Sequence, residues 1–202
     1  MTQRMFVAAV PPEHVVSELD DFLAVRREAD RGLRWTLPEQ WHLTLAFLPE
    51  VPDRRYDDLC ARLERAARKR SAMTATVVGG GAFPDAARAR VLWAGVAVSD
   101  PVGLDRLATG CRAAATKAGV AVPGERFRPH LTLARSGRPF EATRWLRVLE
   151  AFQGVDHPLE EVCLIASHLG EGARGRPRYE LLERFALGDL RGQPGPKPEL
   201  DQ

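Results

Sequence analysis

Apolar residues come in short bursts along this chain, and the spacing inside each burst predicts an element. Residues 4–10 (RMFVAAV) are mostly apolar and stop at Pro11-Pro12, which reads as a buried strand. Over residues 11–30, Val15, Val16, Leu19, Phe22, Leu23 and Val25 recur at helical spacing and predict an amphipathic helix with those side chains toward the core. Residues 33–37 and 41–48 read as strands ended by Pro38 and Pro49. Tyr56, Leu59, Leu63 and Ala66 give residues 52–71 a helical stripe. Residues 73–83 and 89–98 read as strands; the three glycines at 79–81 are expected to break the first into a hairpin-like turn over 79–87. A helix over 101–119 has proline near its start and glycine at its end, the usual asymmetry. A strand closing at Arg135, a helix over 140–153 and strands over 159–169 and 178–187 follow. The remainder, DLRGQPGPKPELDQ, is rich in proline and glycine and reads as a disordered tail.

The expected organisation is therefore one domain over residues 1–187 and a tail over 188–202. Strand, helix, strands, helix, strands run to about residue 98; helix, strand, helix, strands follow. That order predicts an α+β fold with two pseudo-symmetric parts.

Composition narrows the class without naming it. A net charge of +2 does not by itself argue for nucleic acid. All the cations except Lys69, Lys117 and Lys197 are arginine, a bias that a GC-rich genome produces and that also suits phosphate. Cys60, Cys111 and Cys163 are odd in number and widely spaced, so neither a zinc ribbon nor a disulfide framework is indicated. The apolar run at the N-terminus is too short for a signal peptide, and nothing approaches the roughly 20 apolar residues of a membrane span. A cytoplasmic protein with no membrane partner is expected.

One pattern carries chemistry. The tetrapeptide His-Leu-Thr-Leu occurs at 42–45 and again at 130–133, each time in a predicted strand. Side chains alternate along a strand, so His42 and Thr44 share one face and Leu43 and Leu45 the other; His130 and Thr132 stand likewise opposite Leu131 and Leu133. Imidazole and hydroxyl are then roughly 7 Å apart along each strand. Brought to one cleft, two imidazoles can act as one base and one acid, as in-line displacement at phosphorus requires. The hydroxyls can donate to the non-bridging oxygens. A single His-x-Thr on a strand is usually an ordinary surface pair; two copies with the same apolar interleaving are not. Two histidines with threonine and no clustered Asp, Glu or Cys fall short of a zinc ligand set, so no metal and no other cofactor is expected.

Two H-x-T-x motifs with apolar x positions resemble the two-histidine (2H) phosphoesterases. The ordered stretches MFVAAVPPE, RWTLPEQWHLTLAFLPEV, GGGAFP, RVLWAGV, RFRPHLTLAR and CLIASHL…RYELLERFAL look like the landmarks of the RNA 2′,3′-cyclic phosphodiesterases, also called 2′–5′ RNA ligases, over roughly residues 4–187. The resemblance implies two lobes, each an antiparallel sheet with outer helices, around a central cleft. It implies metal-independent opening of an RNA 2′,3′-cyclic phosphate to a 2′-phosphate, a weak reverse 2′–5′ ligation, and an RNA end as the partner of a monomeric protein. Carried onto matching positions, His42 and His130 are the acid–base pair and Thr44 and Thr132 grip the phosphate. His42 takes the acid's part and His130 the base's, although sequence leaves that assignment open.

Ser167 occupies a matching position on a late strand. Phe127 precedes the second motif, where an aromatic can stack on a base or pack in the core. Arg135 is a candidate phosphate ligand. Strict alternation puts it on the face away from His130, but it stands at a strand end, where a loop can re-aim it. The stretch GEGARGRPRYE is longer than the resemblance leads one to expect, and its Arg174, Arg176 and Arg178 can touch RNA or line a solvated loop. A cyclic phosphodiesterase for a small nucleotide and an RNA-end-binding protein without turnover are the competing functions. Both motifs being intact argues against the second.

Overall fold

The computed structural model describes residues 1–28, 32–124, 127–172 and 175–188. Its strands are β1 (Thr2–Ala9), β2 (Arg34–Trp35), β3 (Leu43–Pro52), β4 (Met73–Phe83), β5 (Ala89–Val98), β6 (His130–Phe140), β7 (His157–Leu159), β8 (Glu161–His168) and β9 (Arg178–Ala186). Its helices are α1 (Glu13–Glu28), α2 (Tyr56–Arg68), α3 (Pro101–Lys117) and α4 (Thr143–Glu150). The strands join in one sheet, in the order β7-β4-β5-β6-β3-β1-β8-β9, with the short β2 added to β6. Every pair of strands in it is antiparallel. The fold is thus α+β, with a large antiparallel sheet and four helices among the described residues.

The middle of the sheet is its narrowest join. β3 meets β6 through a single register pair, Leu43 with Leu131, whereas β1–β3 and β5–β6 each pair over many residues. The runs on either side of that join, β7-β4-β5-β6 and β3-β1-β8-β9, are not the first and second halves of the chain: β1 and β3 lie with the late strands β8 and β9.

Alternation explains how the centre is filled. The motif leucines Leu43, Leu45, Leu131 and Leu133 are all buried in the main core, with Leu19, Leu59, Leu63, Leu104 and Leu107 from α1, α2 and α3. Burying a leucine side chain contributes about 1.5–3 kcal/mol, so these four fix which face of each strand looks away from the core. β1 is apolar on both faces. Met5, Val7 and Ala9 join the main core, and Phe6 and Ala8 form a smaller cluster with Cys163 and Ile165.

Several boundaries differ from the sequence reading. β4 runs straight through the three glycines, which make a bulge rather than a turn: the register slips between Val77 and Gly80, and Gly79 has φ +61°. Gly81 is required by packing, because a Cβ there would lie 2.0 Å from the Trp93 ring. Val25 is 75% exposed, since it falls off the stripe of Val15, Leu19 and Leu23 that α1 buries. β3 continues past Pro49 to Pro52, and β6 past Arg135 to Phe140. Cys60, Cys111 and Cys163 are all free thiols, the last two buried. Leu187 is buried and Gly188 bridges to Ser71; the expected tail lies, from residue 189 onward, outside the described residues.

Candidate active site

The Leu43–Leu131 pair sets the two motifs against each other. Counting one residue either way along antiparallel strands puts His42 opposite Thr132 and Thr44 opposite His130. Each imidazole therefore has the other motif's hydroxyl as its cross-strand neighbour. A cavity of about 150 Å³ opens on this face, lined by His42, Thr44, Thr132, Ser167, Arg135 and Arg4 together with Thr36, Gln40, Phe6, Phe47 and Tyr179. Two guanidiniums, several hydroxyls and no carboxylate line it, a surface that suits an anion.

Both histidines are framed in the same way. Nδ1 of His42 donates to the Gln40 carbonyl at 2.7 Å, and Nδ1 of His130 donates to the Arg128 carbonyl at 2.7 Å. A carbonyl can only accept, so the proton of each neutral ring sits on Nδ1 and the lone pair on Nε2. No protein group among the described residues hydrogen-bonds either Nε2. Each ring also packs against a pair of aromatics that touch each other, Phe6 with Tyr179 at 5.0 Å and Phe83 with Trp93 at 5.4 Å. His42 stacks on Phe6 at 4.4 Å between centroids and meets Tyr179 edge-on at 5.5 Å. His130 meets Phe83 at 5.1 Å and Trp93 at 5.9 Å.

These surroundings lower both pKa values. Burial pulls His42 down to about 4; the Gln40 carbonyl works against that, and the charges of His130 and Arg135 lower it further. His130 is lowered as well, first by burial, against the pull of the Arg128 carbonyl, and then by Arg135 and Arg128. Near neutral pH the neutral form of both rings is therefore favoured, with the proton on Nδ1 and the lone pair on Nε2.

Arg135 reaches the cavity because β6 carries a bulge. Trp93 pairs with Thr132 and Leu92 with Ala134, leaving one extra residue in β6. Leu133 and Ala134 are consequently both buried, and the alternation resumes with Arg135, which lines the cavity as Thr132 does; His130, at the start of the strand, stands outside that lining. β3 does the same against β1, where Ala8 pairs with Thr44 and Val7 with Ala46. Leu45 and Ala46 are both buried, and Phe47 turns to the cavity. The repeat is thus five letters long, His-Leu-Thr-Leu-Ala, and in each copy the register skips the second leucine and resumes at the alanine. Arg4 completes this side, with its Cζ 4.4 Å from the Phe47 centroid.

The other expected residues divide. Ser167 is buried and lines the cavity. Phe127 is half-buried and packs against the main core, outside the cavity lining. Arg176 donates to the Trp35 carbonyl at 3.1 Å, and Arg178 pairs with Glu171 at 2.9 Å and Glu180 at 3.4 Å. These two arginines hold their own loop; Arg174 lies outside the described residues. His168 contacts Glu180 at 2.9 Å. Among the described residues no three His, Cys, Asp or Glu side chains gather into a metal-ligating group, and no helix is long and apolar enough to cross a membrane. Sequence reasoning assigned no role to Phe6, Tyr179, Phe83, Trp93, Gln40 or Arg4. Alternation on β1 groups Arg4 with Phe6, but nothing in the sequence says that β1 lies beside β3.

An α+β fold whose antiparallel sheet sets two His-x-Thr strands side by side defines a phosphoesterase of the two-histidine kind. Residues 10–93 and 96–176 match the model of the LigT-like phosphoesterases, and the chain belongs to that family. It is 34% identical to the RNA 2′,3′-cyclic phosphodiesterase of Thermus thermophilus, an alignment covering 98% of this chain and 100% of that one. It superimposes on the crystal structure of TT0787 of Thermus thermophilus with a TM-score of 0.73 and 32% identity, over 93% of this chain and 99% of that one. E. coli LigT complexed with 3′-AMP gives a TM-score of 0.73 at 28% identity, over 93% and 99% of the two chains.

Proposed function

We propose that this protein opens RNA 2′,3′-cyclic phosphate ends to 2′-phosphates by metal-independent acid–base catalysis between His42 and His130, with a weak reverse 2′–5′ ligation. The observation that carries this reading is the cross-strand placement of two identically framed imidazoles and two threonines, beside a cavity lined by guanidiniums and no carboxylate. The curated relative's name, RNA 2′,3′-cyclic phosphodiesterase, supports the substrate class.

Water attacks phosphorus in line with the P–O3′ bond. His130 takes the water's proton on Nε2, the P–O3′ bond breaks, and its electron pair goes to O3′, which takes a proton from His42. A 3′-hydroxyl and a 2′-phosphate result. Thr44 and Thr132 donate to the non-bridging oxygens, and Arg135 and Arg4 balance the charge that develops there. Burial opposes a proton on His42 in the free protein, but a phosphate anion in the same cavity favours the imidazolium. A small cyclic nucleotide is the second reading, favoured by a cavity of only about 150 Å³.

A short RNA ending in a 2′,3′-cyclic phosphate, incubated with the protein in EDTA, tests the reaction. The expected product is the 2′-phosphate alone. A 3′-phosphate product, or turnover that EDTA abolishes, contradicts the mechanism; turnover of nucleoside cyclic phosphates but not of RNA favours the second reading.

A further inference from the structure

A second groove opens beside the candidate active site, walled by Arg34 of β2, Arg90 of β5, and Arg135, Ser136 and Gly137 of β6. Arg135 lines both this groove and the catalytic cavity, so the two adjoin at that side chain. Two residues beyond Arg34 along the same extended segment, Thr36 lines the cavity, which puts Arg34 on the cavity side.

The charge arrangement here is unfavourable to the fold itself. Arg34 and Arg135 are register partners across β2 and β6, and like charges directly opposite one another are destabilising. Arg90 stands at the same place, its Nη1 donating to the Gly137 carbonyl at 3.1 Å where β6 falls out of register with β5. All three arginines are exposed, and among the described residues none has a carboxylate within ion-pair distance. Acids are plentiful elsewhere: Arg62, Arg68, Arg88, Arg178 and Arg184 each have one, and Arg178 has two. Three guanidinium forks without an ion-pair partner among the described residues, along a groove that adjoins the proposed phosphate cavity, match the spaced anions of a nucleic-acid backbone.

We infer that this groove carries the RNA strand leading into the active site, Arg34 and Arg90 meeting phosphodiesters on the 5′ side of the cyclic end. The inference rests on the RNA-end reading above and extends it: the substrate is an oligonucleotide and not a mononucleotide. Because the contacts are to the backbone, they favour length and are indifferent to base sequence.

Binding of the product separates this inference from the catalytic one, since it needs no turnover. The probes are a five-nucleotide RNA carrying a 2′-phosphate end and the corresponding nucleoside 2′-monophosphate. They are titrated into the parent, Arg34→Ala/Arg90→Ala and, as a control on the outer surface of α3, Arg106→Ala. The parent should bind the RNA more tightly than the mononucleotide, with a steeper salt dependence. Removing two backbone contacts should flatten the slope of log K against log salt by about 1.4 and lower the preference for RNA about tenfold. Arg106→Ala should do neither. A double variant that keeps the parent's slope and preference overturns the inference, as does a parent with no preference for RNA. Equal weakening of both ligands also overturns it, by assigning the guanidiniums to the terminal phosphate alone. Failure of the hydrolysis reading appears separately, in the product assay.

Discussion

Each imidazole in this site has one nitrogen committed and one available. The commitment is local: a backbone carbonyl two residues upstream, just outside the repeat, accepts from Nδ1 in both motifs, so the same tautomer is produced twice although the upstream residues differ. Burial lowers both pKa values below the usual 6.5, that of His42 to about 4. A consequence follows for the pH dependence. Catalysis as proposed needs His42 protonated and His130 neutral; His42 is lowered the more, so in the free enzyme this is the minor singly protonated form, but its fraction still peaks between the two lowered values and declines on the alkaline side. The kcat/KM profile for a cyclic phosphate substrate should therefore have its optimum below pH 6.5, while bound phosphate should move the alkaline limb of kcat to higher pH. Coincident alkaline limbs in the two profiles would contradict this. At this scale the sequence is highly informative, because period-two alternation alone groups His with Thr and Leu with Leu. It misplaces Arg135 for the same reason: counting by twos has no way to register an inserted residue, and the bulge at Leu133–Ala134 is decided by pairing with β5.

Single elements hold those residues in place. The ring of Trp93 lies over Gly81 and packs near His130, and Phe83 touches both rings. A methyl group on Gly81 would occupy the space of the indole. Gly81→Ala should therefore cost about 1–3 kcal/mol of stability through overpacking. It should also lower kcat with little change in RNA affinity, because His130 loses its backing. Urea unfolding and steady-state kinetics on the same variant check both halves; full activity would mean the aromatic pair does not orient the imidazole. Most elements are legible from their apolar spacing, and the errors share a cause. The glycines at 79–81 look like a turn because glycine is permissive, but here they make room for a side chain on the neighbouring strand, a fact about pairing. Phe127 is ambiguous in sequence because stacking on a base and packing in a core call for the same side chain; its neighbours in the core are supplied by tertiary structure.

For the whole molecule, the central feature is that the sheet narrows to one residue pair where the two motifs meet. Leu43 and Leu131 hold that join from the core side, and each side of the join supplies one imidazole to the opposite face. The α+β class could be read from the chain, and so could the burial of the repeat's leucines. The exchange of strands, which puts β1 and β3 beside β8 and β9, could not, since nothing local records which distant strand becomes a neighbour. If the site works as proposed, the two imidazoles are separately necessary for chemistry and dispensable for binding. The decisive comparison is single-turnover hydrolysis of an RNA 2′,3′-cyclic phosphate by the parent, His42→Ala and His130→Ala, alongside RNA binding by all three. Each variant should lose about 10²–10⁴ in rate, as removal of a general acid or base does, while keeping RNA affinity within a few-fold of the parent. A variant that retains the parental rate would contradict the two-histidine mechanism.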